Sequence, residues 1–170
     1  MRIAEIKPID ILNGEGLRVS VFVSGCTHYC QGCFNKRLWN FDIGEEFSEQ
    51  HKNKIINTIG NEEIHYFGLS LLGGEPFALE NVDGLLNLCQ TFKTKFPDKD
   101  IWAWSGYTYE YILSDSKRHE LLKQIDILID GKFLVEEKDL NLKYRGSRNQ
   151  RVINVKESLQ QNCITHYGVT

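Results

Sequence analysis

Three cysteines fall within one short stretch, Cys26-Thr27-His28-Tyr29-Cys30-Gln31-Gly32-Cys33, spaced C-x3-C-x2-C. Three thiolates on so short a loop can converge on one iron–sulfur cube. Gly25 and Gly32 allow the backbone angles that wrapping a cluster needs. A [4Fe–4S] cluster takes four ligands, so three local cysteines leave one iron open to a substrate, much as catalytic zinc sites keep an open position. Two other chemistries fit part of the pattern. Cys30-Gln31-Gly32-Cys33 alone is a C-x-x-C that could serve as a redox pair, but it leaves Cys26 unexplained. A structural zinc could take His28 or a distant cysteine as a fourth ligand. His28 itself reads as a loop residue beside the site rather than a ligand. Cys89 lies in the apolar stripe of a helix and reads as a small buried hydrophobe. Cys163 follows a polar segment and is assigned no role.

Other segments carry groups suited to binding. Gly73-Gly74-Glu75-Pro76 follows an apolar run. Its glycines let a ligand approach the backbone, and Glu75 offers a carboxylate to an ammonium group as a charge-assisted bond. Taken alone, the tetrapeptide also fits a glycine-rich turn with a solvated Glu. Ser105 and the pair Asp130/Lys132 close two later strands, where polar side chains could reach a carboxylate, a ribose or a monovalent cation; an Asp–Gly turn with a surface Lys fits the pair equally. Trp102 and Trp104 alternate with Ala103 and read as core packing. Residues 143–156 hold five basic residues (Lys143, Arg145, Arg148, Arg151, Lys156) and no acidic one. They form either a solvated face or a loop turned toward the site or a partner.

These groups need elements to position them. Residues 2–9 and 17–24 read as extended, separated by the turn Asn13-Gly14-Glu15-Gly16. Val19–Val23 alternates and is β-branched, and it empties into the cysteine loop. Residues 48–60 read as a helix with Ser48 as N-cap, and 67–72 as a buried strand. Residues 80–96 read as an amphipathic helix, 101–104 as a strand, and 107–124 as helical with a break near Ser114. Strands at 127–129 and 152–155 follow, the last leading into a short helix. Strands alternating with helices imply βαβ units and a mainly parallel sheet. Ligands bind beyond the C-terminal ends of such strands. The cysteine loop, Gly73–Pro76, Ser105-Gly106 and Asp130–Lys132 all fall there, and so gather on one edge.

Composition sets the background. The 170 residues suit one domain, residues 1–170, and 41% hydrophobic with 25% charged residues is ordinary for a globular chain. A net charge of -3 gives no global argument for nucleic acid or membrane binding. No stretch approaches the roughly 18 apolar residues of a membrane helix. Arg2, Glu5, Lys7 and Asp10 interrupt any apolar signal-peptide core. The expectation is a cytoplasmic protein, where clustered cysteines suggest metal or redox chemistry more than disulfides.

C-x3-C-x2-C closing a first strand, followed by Gly-Gly-Glu-Pro after the next, resembles the radical S-adenosylmethionine (SAM) superfamily. That superfamily usually has an aromatic residue just before the third cysteine; here the position is Gly32, with Phe34 just after. Cys30-Gln31-Gly32-Cys33-Phe34-Asn35 is instead similar to the glycyl-radical activases of anaerobic ribonucleotide reductase. So are Trp102-Ala103-Trp104-Ser105-Gly106-Tyr107, Asp126–Gly131 and Arg145-Gly146-Ser147-Arg148-Asn149-Gln150-Arg151, in that order. The resemblance covers nearly the whole chain. It implies a partial (βα) barrel of the radical SAM type and one [4Fe–4S] cluster on Cys26, Cys30 and Cys33. It implies SAM held at Gly73, Gly74 and Glu75, with Ser105, Asp130 and Lys132 as further contacts. It also implies reductive cleavage of SAM and abstraction of a hydrogen atom from a backbone glycine of the reductase's large subunit, with flavodoxin or ferredoxin as electron donor. Activation of another glycyl-radical enzyme, such as pyruvate formate-lyase, and a non-catalytic iron–sulfur or zinc module stay open beside it.

Overall fold

A computed structural model describes residues 1–168. Seven strands form one sheet: β1 (Arg2–Asp10), β2 (Arg18–Val23), β3 (Glu45–Glu46), β4 (Gly68–Gly73), β5 (Asp100–Trp104), β6 (Ile127–Asp130) and β7 (Arg151–Asn154), in the order β3-β1-β2-β4-β5-β6-β7 among the described residues. Five helices accompany them among those residues: α1 (Glu49–Ile59), α2 (Leu79–Lys95), α3 (Tyr109–Ser114), α4 (Ser116–Leu122) and α5 (Val155–Gln161). The fold is α/β. No helix among the described residues is long and apolar enough to cross a membrane.

The expectation of a mainly parallel sheet is corrected: the sheet is mixed. β2, β4, β5 and β6 run parallel, whereas β1 pairs antiparallel with β2 and β3, and β7 antiparallel with β6. The connections explain this. The segment between β1 and β2 is too short for the dozen or more residues that a parallel crossover needs. Residues 131–150 contain only a 3-10 turn at Val135–Glu137, so no helix carries the chain back across the sheet before β7.

Each strand's alternation sorts its side chains to two different faces. On one face Val19, Val21, Leu69, Leu71, Ala103 and Leu128 pack with Ile55, Leu85, Leu88 and Phe92 of the helices. Cys89, fully buried, belongs to this core, as its place in the stripe of α2 implies. The opposite face carries Phe22 and Leu72 in one cluster and Trp102, Ile127, Ile129 and Val152 in another. Tyr144 and Tyr167 cover that face from loops, and both stand edge-on to Trp102 at 4.8 and 5.4 Å. Arg18 is fully buried there: Nε donates to Ser70 Oγ at 2.8 Å, and Nη2 pairs with Asp100 Oδ1 at 2.6 Å.

The helix signals hold. Ser48 caps α1, its backbone N–H donating to His51 Nδ1 at 3.3 Å. The break near Ser114 arises because Asp115 ends α3 and caps α4, its Oδ1 accepting the Arg118 N–H at 2.9 Å.

Candidate functional site

A cleft of ≈ 460 Å³ opens at the C-terminal ends of the parallel strands. Cys26, Cys30 and Cys33 line it with Gly73, Gly74 and Glu75 from the end of β4, Ser105 and Gly106 from the end of β5, and Gly131 from the end of β6. Four segments distant in sequence thus meet at one place, as the strand alternation predicts.

The cysteine loop is held by backbone bonds on both sides. Gly25 N–H donates to Leu38 O at 2.8 Å and Cys26 N–H to Trp39 O at 3.1 Å, which ties the loop to the 3-10 turn at Lys36–Trp39. Gly74 N–H donates to Val23 O at 2.7 Å and Glu75 N–H to Gly25 O at 2.8 Å, which ties it to β4. Gly25 has to be glycine: its φ is +91°, and a Cβ would lie 2.0 Å from the Phe41 ring. Tyr29, between the first and second cysteine, holds φ at +51° without being glycine, a costly conformation for a non-glycine residue.

Burial pushes the Cys26 thiol up to about 11, opposed by the His28 backbone amide that points at its sulfur. Burial also raises Cys30, opposed by the Phe133 amide and by the charge of Lys132. Metal binding here must therefore displace protons. Among the described residues no group of three or more His, Cys, Asp or Glu side chains is close enough to share one metal ion. The donor set fits a larger iron–sulfur unit instead: three soft thiolate donors face one cleft. Two buried donors of residues that line the cleft, Trp39 Nε1 and Arg145 Nε, have no protein partner among the described residues.

Glu75 is 1% exposed, not solvated. Its Oε1 accepts from Phe77 N–H at 2.9 Å and Ser105 Oγ at 2.8 Å. Its Oε2 accepts from Gly106 N–H at 2.8 Å and His28 Nε2 at 2.7 Å. Ser105 Oγ in turn accepts the Tyr107 N–H at 3.0 Å, so its one proton and one of its two lone pairs are used inside the protein.

Asp130 and Lys132 do not line the cleft. Asp130 is 1% exposed and points to the helix side, where it accepts the Tyr109 N–H at the start of α3 at 2.7 Å and both Nε and Nη2 of Arg151. Arg151 also forks onto Glu110 at 2.8 and 3.0 Å. Lys132 is exposed on the Cys30 side of the loop. The basic segment divides: Arg145 lines the cleft, Arg148 pairs with Asp139 at the surface at 3.1 Å, and Arg151 turns away to Asp130. Arg145 stands where the basic segment, read as a loop turned toward the site, would put it; sequence reasoning missed Trp39 and the bond between His28 and Glu75. Only the position of His28 inside the cysteine loop hinted at the last.

Residues 12–153 match a family model described as a 4Fe-4S single cluster domain. The chain is similar to proteins named "Anaerobic ribonucleoside-triphosphate reductase-activating protein" in three bacteria. The Vibrio cholerae protein is 45% identical, with 84% of this chain and 91% of that one covered. The Haemophilus influenzae protein is 44% identical over 88% and 96%, and the Escherichia coli protein 41% identical over 85% and 93%.

Proposed function

The chain belongs to the anaerobic ribonucleoside-triphosphate reductase-activating proteins, built on a 4Fe-4S single cluster domain, and from that premise we propose that it is a radical SAM activase of that reductase. The observation that carries the reading is the meeting of Cys26, Cys30 and Cys33 with Gly73–Glu75 in one cleft. The fold is then a partial (βα) barrel of the radical SAM type, with helices outside and the cleft at the mouth of the inner face.

In this reading Cys26, Cys30 and Cys33 hold one [4Fe–4S] cluster. When bound, the cluster would supply the electron for reductive cleavage of SAM, the chemistry by which a hydrogen atom would be taken from a backbone glycine of the reductase large subunit. The chain's own residues bind and orient. Gly73 and Gly74 admit SAM to the backbone of the strand end. Glu75 and Ser105, bonded to each other within that wall, hold it in place. The unpartnered donors of Trp39 and Arg145 suit the oxygen atoms of a bound ligand. Asp130 serves the framework, joining β6 to α3 and β7, rather than touching SAM, and Lys132 lends positive charge beside Cys30. A substrate glycine must come close to the reacting carbon, since proximity dominates such transfer. The segment 143–156, which contributes Arg145 to the cleft, is where we place the reductase loop. The electron comes from a small redox protein such as flavodoxin or ferredoxin, in the cytoplasm.

The test is anaerobic reconstitution, followed by a count of 5′-deoxyadenosine formed with dithionite and by electron paramagnetic resonance of the reductase's glycyl radical. Cys26→Ser, Cys30→Ser and Cys33→Ser should each lose the cluster or its turnover, whereas Cys89→Ser and Cys163→Ser should keep both. A cluster that never cleaves SAM would leave a partner-binding module. Cleavage with no radical on the reductase, but with one on pyruvate formate-lyase, would change the substrate.

A further inference from the structure

We propose that His28 is a positioning residue that holds the cysteine loop, through Glu75, in register with the strand ends that receive SAM. This rests on the SAM reading above.

The case begins with the Glu75 carboxylate. Two ionised oxygens offer about four acceptor sites, and four donors occupy them: Phe77 N–H, Ser105 Oγ–H, Gly106 N–H and His28 Nε2. A carboxylate only accepts, so Nε2 carries the hydrogen in this bond. Phe77 belongs to the turn after β4, and Ser105 and Gly106 to the end of β5. Of the four donors, His28 alone crosses from the cysteine loop. One buried carboxylate therefore fastens three segments together, and His28 is the cysteine loop's side-chain link to it.

The ring is built into its place. Its side chain is 7% exposed. Its edge meets Tyr107 at 4.4 Å and 72°. Gly106 makes room for it, because a Cβ there would lie 2.3 Å from His28 Cδ2. Tyr107 in turn lies under the Arg118 guanidinium at 4.8 Å, and Arg118 Nε donates to Phe77 O at 2.8 Å. The contacts close a circuit: Glu75, Phe77, Arg118, Tyr107, His28 and back to Glu75.

What His28 does not do is hold the loop onto the protein. The bonds of Gly25 to Leu38, Cys26 to Trp39 and Glu75 N–H to Gly25 O are all backbone and survive its removal. Its loss should therefore leave a cluster that still assembles but no longer faces the SAM wall at the right offset. Residues that orient a binding site from one shell further out typically matter about 10- to 100-fold.

The experiment compares wild type, His28→Ala and His28→Gln after anaerobic reconstitution. Three quantities are read: iron per chain, the resonance spectrum of the dithionite-reduced cluster with and without SAM, and the SAM dissociation constant. His28→Ala should keep its iron and its spectrum without SAM. Its SAM affinity should fall about 10- to 100-fold, and the spectral change on SAM addition should shrink with it. His28→Gln, whose amide nitrogen can reach Glu75, should recover most of both. If His28→Ala binds SAM as the wild type does, the inference is overturned. If His28→Ala and His28→Gln lose iron alike, His28 only stabilises the loop and the inference is also overturned. A wild-type cluster indifferent to SAM would overturn the SAM reading itself, and this inference with it.

Discussion

Two carboxylates, Glu75 and Asp130, each 1% exposed, stand at the C-terminal ends of parallel strands. Their surroundings differ completely. Glu75 faces the cleft and is satisfied by two backbone amides, a hydroxyl and an imidazole. Asp130 faces the helices and is satisfied by a guanidinium and the first amide of α3. The first arrangement joins loops around a binding site. The second joins a strand to a helix and to the neighbouring strand β7. Two groups that look alike in sequence, each an acid just beyond an apolar strand, are thus divided between ligand wall and framework. The difference is one of side-chain direction: Asp130 ends β6 and keeps the parity of Leu128, whereas Glu75 lies beyond β4, past Gly73 at φ +107°, where the alternation has already ended.

The comparison breaks most visibly if the framework acid loses its partner. Arg151→Ala leaves Asp130 buried with a single amide donor, and an uncompensated buried charge costs about 3 kcal/mol or more. Urea unfolding should show that loss at neutral pH, while SAM affinity per folded molecule stays close to wild type. A stable Arg151→Ala that binds SAM poorly would show that Asp130 serves the cleft after all.

Parity was available in the sequence and explains which expectations were met. Leu128 packs with the helices, while Ile127 and Ile129 pack on the opposite face. Asp130, two residues after Leu128, must then point to the helices, and the same rule puts Trp102 and Trp104 together on the inner face. The alternation of strand and helix, the cysteine spacing and the Gly-Gly-Glu-Pro turn were legible because each is local. The antiparallel return of β7 was not, since it depends on what residues 131–150 fail to form. The four donors on Glu75 were not legible either. They come from residues 28, 77, 105 and 106, and no local pattern announces that these meet. Trp39 carries an ordinary side chain on a short 3-10 turn, so only the folded chain places it at the cleft, and only the folded chain decides between the two readings of the basic run that holds Arg145.

A smaller effect should sharpen the contrast from the other side. Glu75→Gln keeps the shape but offers one acceptor oxygen where two stood. With the amide nitrogen at the Oε2 position, it meets the Gly106 N–H and the His28 N–H; at the Oε1 position, it meets the Phe77 N–H. Either way two donors confront each other, and the strand ends around the cleft must shift. SAM affinity should fall about 10- to 100-fold, read by anaerobic titration, with iron content unchanged. Full SAM affinity in Glu75→Gln would return Glu75 to a bystander's place.

The smallest effect concerns the outer edge of the framework pair, where Glu110 shares Arg151 with Asp130. The hydrogen bonds from Arg151 hold the Glu110 carboxyl down to about 2 from its ordinary 4.5. A carboxyl whose pKa is lower in the folded chain stabilises it above the unfolded value, and the contribution drains away as pH falls through the folded one. The Glu110 side chain is 59% exposed, so solvent screening reduces the pair to about 1 kcal/mol or less. Urea midpoints of wild type and Glu110→Gln should therefore differ by a constant small amount from pH 7 to about 5. The difference should shrink below about 4.5 and vanish near 2. Added salt should shrink it at neutral pH as well, because the pair is exposed. The buried Asp130 pair should resist the same salt. If Arg151→Ala and Glu110→Gln respond to salt alike, the division between a buried framework pair and its exposed edge is wrong.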